Sequence, residues 1–588
     1  MKKKAKSKIK LQLFDPGKIA TAISQALSRD FGEAQHVYCL SDSFTLYAFN
    51  RQVNELLKKF VDPAQDQDDL EAATYAKFAK VNAHMGDVNT KLRDNFFPDT
   101  STRPGPSRTK SDNIHLRARA LMRSVLSGFE FEELYTACKH GSGSTVGVPF
   151  TDTSIERKFQ FPMTVTAEAE PLMLDALAFD KELSAAVLNY NRYTPIGEVF
   201  EHVDGSRATT VEKTSKIKRF IAVEPTANMY LQQGLMAMMY KRMKLVGLDV
   251  ESLPELHKKL AKYSSITAVQ ATIDWSSASD CTAPALLEWL LPPQWYTICD
   301  MVRCKSTEIN GQAVSLNMFS SMGNATTFPL ETLVFWTYAH AVLLSQNERT
   351  CRLIPQWYEN KREISVFGDD CIVPSYIASD FIDAVEGIGF MVNDEKSYYG
   401  SEQFRESCGG DYLAGYDVRP FSLKAPHSMK MSALEPWLYI ICNALLKKYV
   451  QYFGRVSYVY DKNLWRVLFS LFRRYKIKIK LVPSFFPDDA GLKLSHDIER
   501  FQRHYRMKLN AIAISKHGTV TFQYVRFNYR NKLMRYDGIR MASWLRSPRF
   551  EDHFIGIKPP VKKVTDPCHM LRNNRKVGGY VVGKGISC

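Results

Sequence analysis

Two carboxylates stand side by side at Asp369 and Asp370, inside the stretch "EISVFGDDCIVPS" from Glu363 to Ser375. Ile364, Val366 and Phe367 precede them, and Cys371, Ile372 and Val373 follow. Adjacent like charges between two apolar β-type runs have two readings. One is a solvated hairpin tip, because Gly-Asp and Asp-Gly are common turn pairs. The other is a divalent-metal site, because hard cations such as Mg²⁺ take carboxylate oxygens and a tight turn presents two together. Gly-Asp-Asp arises by chance in roughly one chain in ten of this length, so the tripeptide alone does not decide. A metal site needs a further carboxylate. Asp274, in "TIDWSSASD", lies 95 residues earlier (369 − 274) and ends another short apolar run, 271–273. If the two strands are neighbours, three carboxylates meet. Two metal ions held there, about 3.5–4 Å apart, can activate an attacking hydroxyl and stabilise a leaving pyrophosphate.

Other segments carry chemistry only in combination. In "VEKTSKIKRFIAVEP", Lys213, Lys216, Lys218 and Arg219 precede a short strand over 220–223. Such a cluster reads equally as a solvated face or as a phosphate grip. Asp280 is placed to cap a helix over 283–291. The turn "SSMGN", Ser320 to Asn324, has a glycine at 323 that lets a backbone or a ligand come close. A long apolar helix follows, with Pro329 in its first turns, where proline is tolerated. After the paired aspartates, "DFIDAVEGIGFMVNDEKS" reads as a helix ending at Gly387 or Gly389, then a strand, then Lys396. The loop "HGSGSTVGVPFTDTS" from His140 lacks the GK[ST] ending of a phosphate-binding P-loop. It reads as a surface loop or as a loop touching a substrate backbone.

The elements that must position these groups run strand–helix, loop–helix, hairpin, helix–strand. That order implies a small sheet backed by helices, an α+β fold. Four regions are expected: a mostly helical 1–110, a region 111–250 bearing the basic cluster, 251–425 with the carboxylates, and a basic 426–588. A helix is expected over 69–85 and an exposed connection over 97–113. In the last region, "LFRRYKIKIKL" from Leu471 alternates Lys and Ile, which predicts a strand with one basic and one apolar face. A second β region is expected over 519–538, where Tyr and Phe interleave with Arg. It suits single-stranded RNA by stacking and charge, and equally suits half-buried strands with a solvated face. The tail "RNNRKVGGYVVGKGISC" reads as a mobile end able to touch RNA.

The composition agrees with an intracellular, nucleic-acid-facing protein. The 588 residues carry a formal net charge of +16, which favours polyanionic partners. No run approaches eighteen apolar residues, and the start "MKKKAKSKIKLQLF" lacks a signal peptide's apolar core, so a membrane-free cytoplasmic protein is expected. The eleven cysteines form no CxxC pair and the thirteen histidines no HExxH. Free thiols are expected, and zinc catalysis is not.

The motifs in their order, "SKIKRFIAVEP" at Ser215, "TIDWSSASD" at Thr272, "SSMGN" at Ser320, "FGDD" at Phe367 and "FRESCGGDYLAGYDVRPF" at Phe404, resemble those of the replicases of single-stranded RNA bacteriophages, the leviviruses. The likeness covers residues 210–425, with "CKHGSGST" at Cys138 as an extension. It implies an RNA-directed RNA polymerase with a right-hand fold of fingers, palm and thumb. The fingers would fall in 111–250, the palm in 251–425 and the thumb in 426–588. By the same resemblance, Asp274, Asp369 and Asp370 fall on the metal-binding aspartates, for two Mg²⁺ ions with Mn²⁺ as a substitute. Lys213, Lys216 and Arg219 fall on the nucleotide-phosphate cluster. Asp280, Ser321, Gly323 and Asn324 fall on the nucleotide-binding floor, with Asp280 and Asn324 at positions that recognise the ribose. Lys396 stands where such polymerases carry a general acid for pyrophosphate.

Further implied are an RNA template and product, nucleoside triphosphates, host elongation factors Tu and Ts, a ribosomal protein, and the cytoplasm of an infected bacterium. Two positions depart from the family. Phe367 replaces a usual tyrosine, and Pro329 stands where relatives tend to be acidic. A reverse transcriptase or DNA polymerase, a non-catalytic RNA-binding protein and a metal-dependent nuclease are the rivals. Small and polar residues between Asp274 and Asp280, rather than a bulky one that would exclude a 2′-hydroxyl, separate the first. The three intact aspartates separate the second.

Overall fold

In the computed structural model the apolar runs around the paired aspartates form an antiparallel hairpin, and the run before Asp274 pairs beside it. Residues 13–37, 43–64, 66–96, 109–192, 195–346, 364–453, 462–482, 486–493, 513–514, 520–528 and 579–587 are described. In chain order the strands are β1 (Met163–Val165), β2 (Phe200–His202), β3 (Ser206–Glu212), β4 (Lys218–Val223), β5 (Gln270–Ile273), β6 (Ser306–Ile309), β7 (Gln312–Ser315), β8 (Ser365–Phe367), β9 (Asp370–Pro374), β10 (Phe404–Ser407), β11 (Gly410–Leu413), β12 (Tyr416–Asp417), β13 (Ala513–Ile514), β14 (Val520–Asn528) and β15 (Gly579–Ser587). They make small sheets ordered β5-β9-β8, β4-β3-β6-β7, β10-β11-β12, β13-β14-β15 and β1-β2. Long helices back them, so the fold is α+β.

The carboxylate sheet is covered on both faces. Every residue of β5 is buried, as are Cys371 to Pro374 of β9. That is why the runs read as continuously apolar rather than alternating. Behind the sheet lies the helix Leu253–Thr267. Its His257 meets Ser407 Oγ of β10 at 2.8 Å through Nδ1 and Ser365 Oγ of β8 at 2.9 Å through Nε2. Burial pulls the imidazole down to about 4, so it stays a neutral strut between the two strands. The helix Thr327–Gln346 is buried around nearly its whole circumference, as a predominantly apolar helix inside a large body must be.

Among the described residues two large apolar cores are present, beside a small cluster around Val482 and Ala490. One runs from Phe78 to Phe390 and holds the carboxylate sheet. The other joins the helices Pro16–Val37 and Ser43–Glu55 to the helices Met431–Phe453 and Asn463–Arg474. Phe49 stacks on Tyr452 there, with centroids 4.7 Å apart. Asp30, fully buried, accepts from Tyr449 Oη at 2.7 Å and from the backbone N–H groups of Asn463 and Leu464 at 2.7 and 3.0 Å. A carboxylate more than 400 residues away in sequence thereby caps the last of these helices.

Several expectations change. The expected helix over 69–85 is Asp68–Lys91. Of the connection expected over 97–113, residues 97–108 lie outside the described set, and a helix already begins at Lys110 behind a Thr109–Asp112 capping box. The strand expected after the helix Ala378–Gly387 is absent. Among the described residues that segment pairs with the sheet through the single bridges Trp275 to Val392 and Thr272 to Tyr398, not through a ladder. The predicted basic strand from Leu471 is also wrong. Leu471 to Arg474 finish a helix, and Lys480 is buried against Glu435. The isoleucines, not the pleat, dictate that path: Ile479 is buried and Ile477 partly so in the second core. The β region after 519 is present as β14, while 529–538 lie outside the described residues. Gly579–Ser587 of the tail pairs along β14 rather than hanging free. The described cysteines are free, as expected.

Candidate active site

Register places the carboxylates. Ile273 pairs with Cys371, so Asp274 leaves β5 directly opposite Asp370, where β9 begins. Phe367 pairs with Asp370, leaving Gly368 and Asp369 as a two-residue loop with Gly368 at φ +60°. A positive φ at the first loop residue is what such hairpins demand, and glycine supplies it. Asp369 and Asp370 therefore occupy a tight turn at the rim of a buried sheet, as expected, and Asp274 joins them.

Burial and mutual repulsion set their electrostatics. Burial pushes the Asp369 carboxyl up, and Asp274 adds to it. Asp370 is pushed up to about 7, by burial first and then by Asp369 and Asp274. Nearby donors meet part of this charge. Asp370 Oδ2 accepts from the Cys408 N–H at 3.1 Å, and Asp274 Oδ2 accepts from Asn393 Nδ2 at 2.5 Å. Lys396 Nζ stands 3.6 Å from Asp274 Oδ2. Burial lowers that ammonium, but Asp274, Glu406, Asp369 and Asp370 together outweigh it and hold Lys396 above the usual lysine range. Among the described residues, no three acidic, His or Cys side chains are closed around one point as a ready metal cage. The donor chemistry is nonetheless of the kind a hard cation takes: three carboxylates on two adjoining strand ends.

The basic hairpin divides by role. Lys218 is buried and pairs with Glu71 at 2.6 Å, so it holds β4 to the helix Asp68–Lys91. Lys213, Lys216 and Arg219 are exposed. The Lys213 ammonium is held below the usual lysine range by burial and by Arg219, Lys77 and Lys396, with Asp369 pulling the other way. The charges of both the basic cluster and the carboxylate turn therefore act on Lys213.

The "SSMGN" turn lies between these parts. Asp280 does not cap the helix Pro284–Leu290, whose N-cap residue is Ala283. It is in a short 3₁₀ turn, and its Oδ1 accepts from Ser321 Oγ at 2.5 Å. Gly323, at φ +127°, presses its bare Cα face onto Ala222 of β4, where a Cβ would overlap the Ala222 carbonyl. Of the backbone and ligand approaches open to that glycine, its Cβ side meets backbone. Ala222 N–H also donates to the Met322 carbonyl at 2.8 Å. Asn324 is buried, and its Oδ1 accepts from Thr326 N and Oγ1 at 2.8 and 2.7 Å. The turn thus docks on the strand that carries Arg219.

Sequence reading missed four contributors. Lys77 lies on the helix Asp68–Lys91, and its charge bears on Lys213 and Asp280. Asn393 and Ser397 hold Asp274, the latter by accepting from its backbone N–H at 3.1 Å. Glu331 is buried under the turn, with Oε2 unpartnered among the described residues. Burial raises its carboxyl far above the usual range, and Asp369 and Asp280 add to this. An acid inside an apolar run, "PLETLVFW", was the signal for it. Phe367 packs edge-on against Phe328 at 4.8 Å, so its ring is used without a hydroxyl.

Comparison with known proteins gives this geometry its family. A family described as "RNA replicase, beta-chain" matches residues 4–521. The chain is 31% identical over 440 residues to the RNA-directed RNA polymerase beta chain of Enterobacteria phage fr, covering 74% of each. It is 33% identical over 388 residues to that of Escherichia phage MS2, covering 66% of each. With the corresponding subunit of Escherichia virus Qbeta it shares 28% over 419 residues, covering 69% of this chain and 66% of that one. The chain belongs to the RNA replicase beta-chain family of RNA-directed RNA polymerases.

Proposed function

We propose that this chain extends an RNA strand on an RNA template by two-metal phosphoryl transfer from ribonucleoside triphosphates. The carrying observation is the convergence of Asp274, Asp369 and Asp370 on adjoining strand ends, with Lys396 3.6 Å from Asp274. The three carboxylates would hold two Mg²⁺ ions, or Mn²⁺ in their place, which when bound supply Lewis-acid activation and neutralise charge. The protein's own part is positioning and electrostatics. Lys213, Lys216 and Arg219 hold the triphosphate. Asp280, with Ser321 and Asn324, forms the floor under the ribose, whose 2′-hydroxyl distinguishes RNA from DNA building blocks. The nascent 3′-hydroxyl gives its proton to solvent as its oxygen bonds to the α-phosphorus, the bond from that phosphorus to the α–β bridging oxygen breaks, and pyrophosphate departs. Lys396, kept protonated by its carboxylate neighbours, donates a proton to that leaving group.

The net charge of +16 suits template and product backbones. Among the described residues no helix is long and apolar enough to cross a membrane. By resemblance the working enzyme includes host elongation factors Tu and Ts and a ribosomal protein, in the cytoplasm of an infected bacterium. The purified chain with host extract, an RNA template and Mg²⁺ should incorporate labelled ribonucleotides in preference to deoxyribonucleotides, and Asp369→Asn should abolish this. Unchanged synthesis by Asp369→Asn refutes the mechanism, and RNA degradation without added nucleotides would indicate a nuclease.

A further inference from the structure

Outside the Lys213–Arg219 cluster, a second group of cations is assembled from two distant segments. Phe421 N–H donates to Gln52 Oε1 and Gln52 Nε2 to the Phe421 carbonyl, both at 2.8 Å. Leu423 N–H donates to the Leu56 carbonyl at 2.7 Å. These bonds staple the end of the helix Ser43–Glu55 to the segment after β12. On its other side the same chain end touches the basic hairpin, where Ser215 N–H donates to the Lys58 carbonyl at 3.0 Å. The staple brings Lys59, Arg419 and Lys424 together, all exposed. Lys58 is paired with Glu55, but none of these three has a carboxylate at ion-pair distance among the described residues. Their mutual strain is visible at Lys59. Partial desolvation lowers its ammonium first, and Arg419, Lys424, Lys58 and Lys396 each lower it further. Lys396 is the residue beside Asp274, and its charge reaches Lys59.

Three neighbouring cations with no carboxylate at ion-pair distance among the described residues suit a compact polyanion. We propose that Lys59, Arg419 and Lys424 form a second polyphosphate subsite, outside the Lys213–Arg219 cluster, that takes the triphosphate of an arriving nucleotide or the departing pyrophosphate beside Lys396. A group of only three cations, on segments docked against the basic hairpin through the Ser215–Lys58 bond, favours a small polyphosphate over the repeating phosphates of an RNA strand. The inference rests on reading Asp274, Asp369 and Asp370 as the polymerising centre.

The test uses the full chain with its host factors on an RNA template. It compares the unsubstituted protein with Lys59→Ala, Lys424→Ala, their combination, and Lys59→Arg. Each lost cation should raise the KM for all four nucleotides, or the inorganic pyrophosphate concentration that halves synthesis, by roughly two- to fivefold, the range of an exposed charge contact. Lys59→Arg should behave as the unsubstituted chain. A rise in KM alone assigns the subsite to the arriving triphosphate, and weaker pyrophosphate inhibition alone assigns it to the product; either supports the proposal. If both are unchanged while template affinity and its salt dependence fall, the group is an RNA surface and the proposal is overturned. If nothing changes in a chain that synthesises RNA, the subsite fails and the polymerase reading stands. An unsubstituted chain that makes no RNA fails that reading instead, and pyrophosphate binding to Asp369→Asn and Asp369→Asn/Lys59→Ala, measured by calorimetry, then decides the subsite: equal affinity overturns it.

Discussion

Replacing Gly368 by alanine tests whether the turn, and not merely its aspartates, sets the geometry of synthesis. At φ +60°, an L-residue costs about 1–2 kcal/mol. The new Cβ would also lie 2.7 Å from Phe328 Cε2 and 3.0 Å from Glu331 Oε1. Ordinary contact begins at 3.4 Å, so the turn and the ring must part by 0.7 Å (3.4 − 2.7). The ring has little freedom to yield, because Phe328 is wedged edge-on between Phe367 at 4.8 Å and Tyr240 at 6.5 Å. Overpacking of this kind adds about 1–3 kcal/mol. The strain is relieved most easily by moving Gly368 and Asp369 outward, because Gly368 N–H is held by a side chain, Thr332 Oγ1 at 3.0 Å, rather than by a strand partner among the described residues. A misplacement of about 1 Å can cost 10²-fold in rate, so kcat for nucleotide addition should fall roughly ten- to a hundredfold, with a smaller change in KM. The control is Gly311→Ala, at φ +81° with open space around it, which carries the backbone strain without the overlap. It should lose about 1 kcal/mol of stability and no turnover. Single-nucleotide incorporation on a primed template and thermal melts read both effects. Full kcat in Gly368→Ala, or a loss no larger than that of Gly311→Ala, refutes the reasoning.

Three further outcomes are expected. Asp370 titrates near 7 when folded against an ordinary 3.8, so without divalent cations its contribution to stability is greatest below about pH 4 and is lost as pH rises to 7; Mg²⁺ should raise the melting temperature more at pH 8 than at pH 5, and an equal rise at both would contradict this. Glu331 is also raised, well above 4.5, so Glu331→Gln should match the unsubstituted chain at pH 4.5 and gain on it as pH increases; a loss at every pH in melting curves counts against the assignment. Asp30→Ala removes three accepted hydrogen bonds from a buried site, costing about 2–4 kcal/mol. Hydrogen exchange should then quicken in the helix Asn463–Arg474, and unchanged protection there would sink the argument.

Local sequence carried the chemistry further than it carried the architecture. The types of Asp274, Asp369 and Asp370, the glycine between Phe367 and Asp369, and the apolar runs on either side suffice to define a hairpin and a strand end, because turn preference and burial act over a few residues. The order of the five motifs was enough for the family. The alternation in "YKIKIKL" misled because burial of Ile479 and the Lys480–Glu435 pair, both made with remote partners, overrode a period-two pattern. Asp280 misled in the same way: its side chain answers to Ser321, 41 residues on, rather than to the next helix. What only the tertiary structure decided are the long-range pairings. They set β5 against β9, Gly323 against Ala222, Asp30 beneath the helix at Asn463, and Lys59 beside Arg419 and Lys424. Each joins segments whose separate patterns are satisfied by many partners. The choice among those partners falls to burial of a whole sheet, backbone contact at a missing Cβ and the pairing of buried charge, none of which a short window of residues contains.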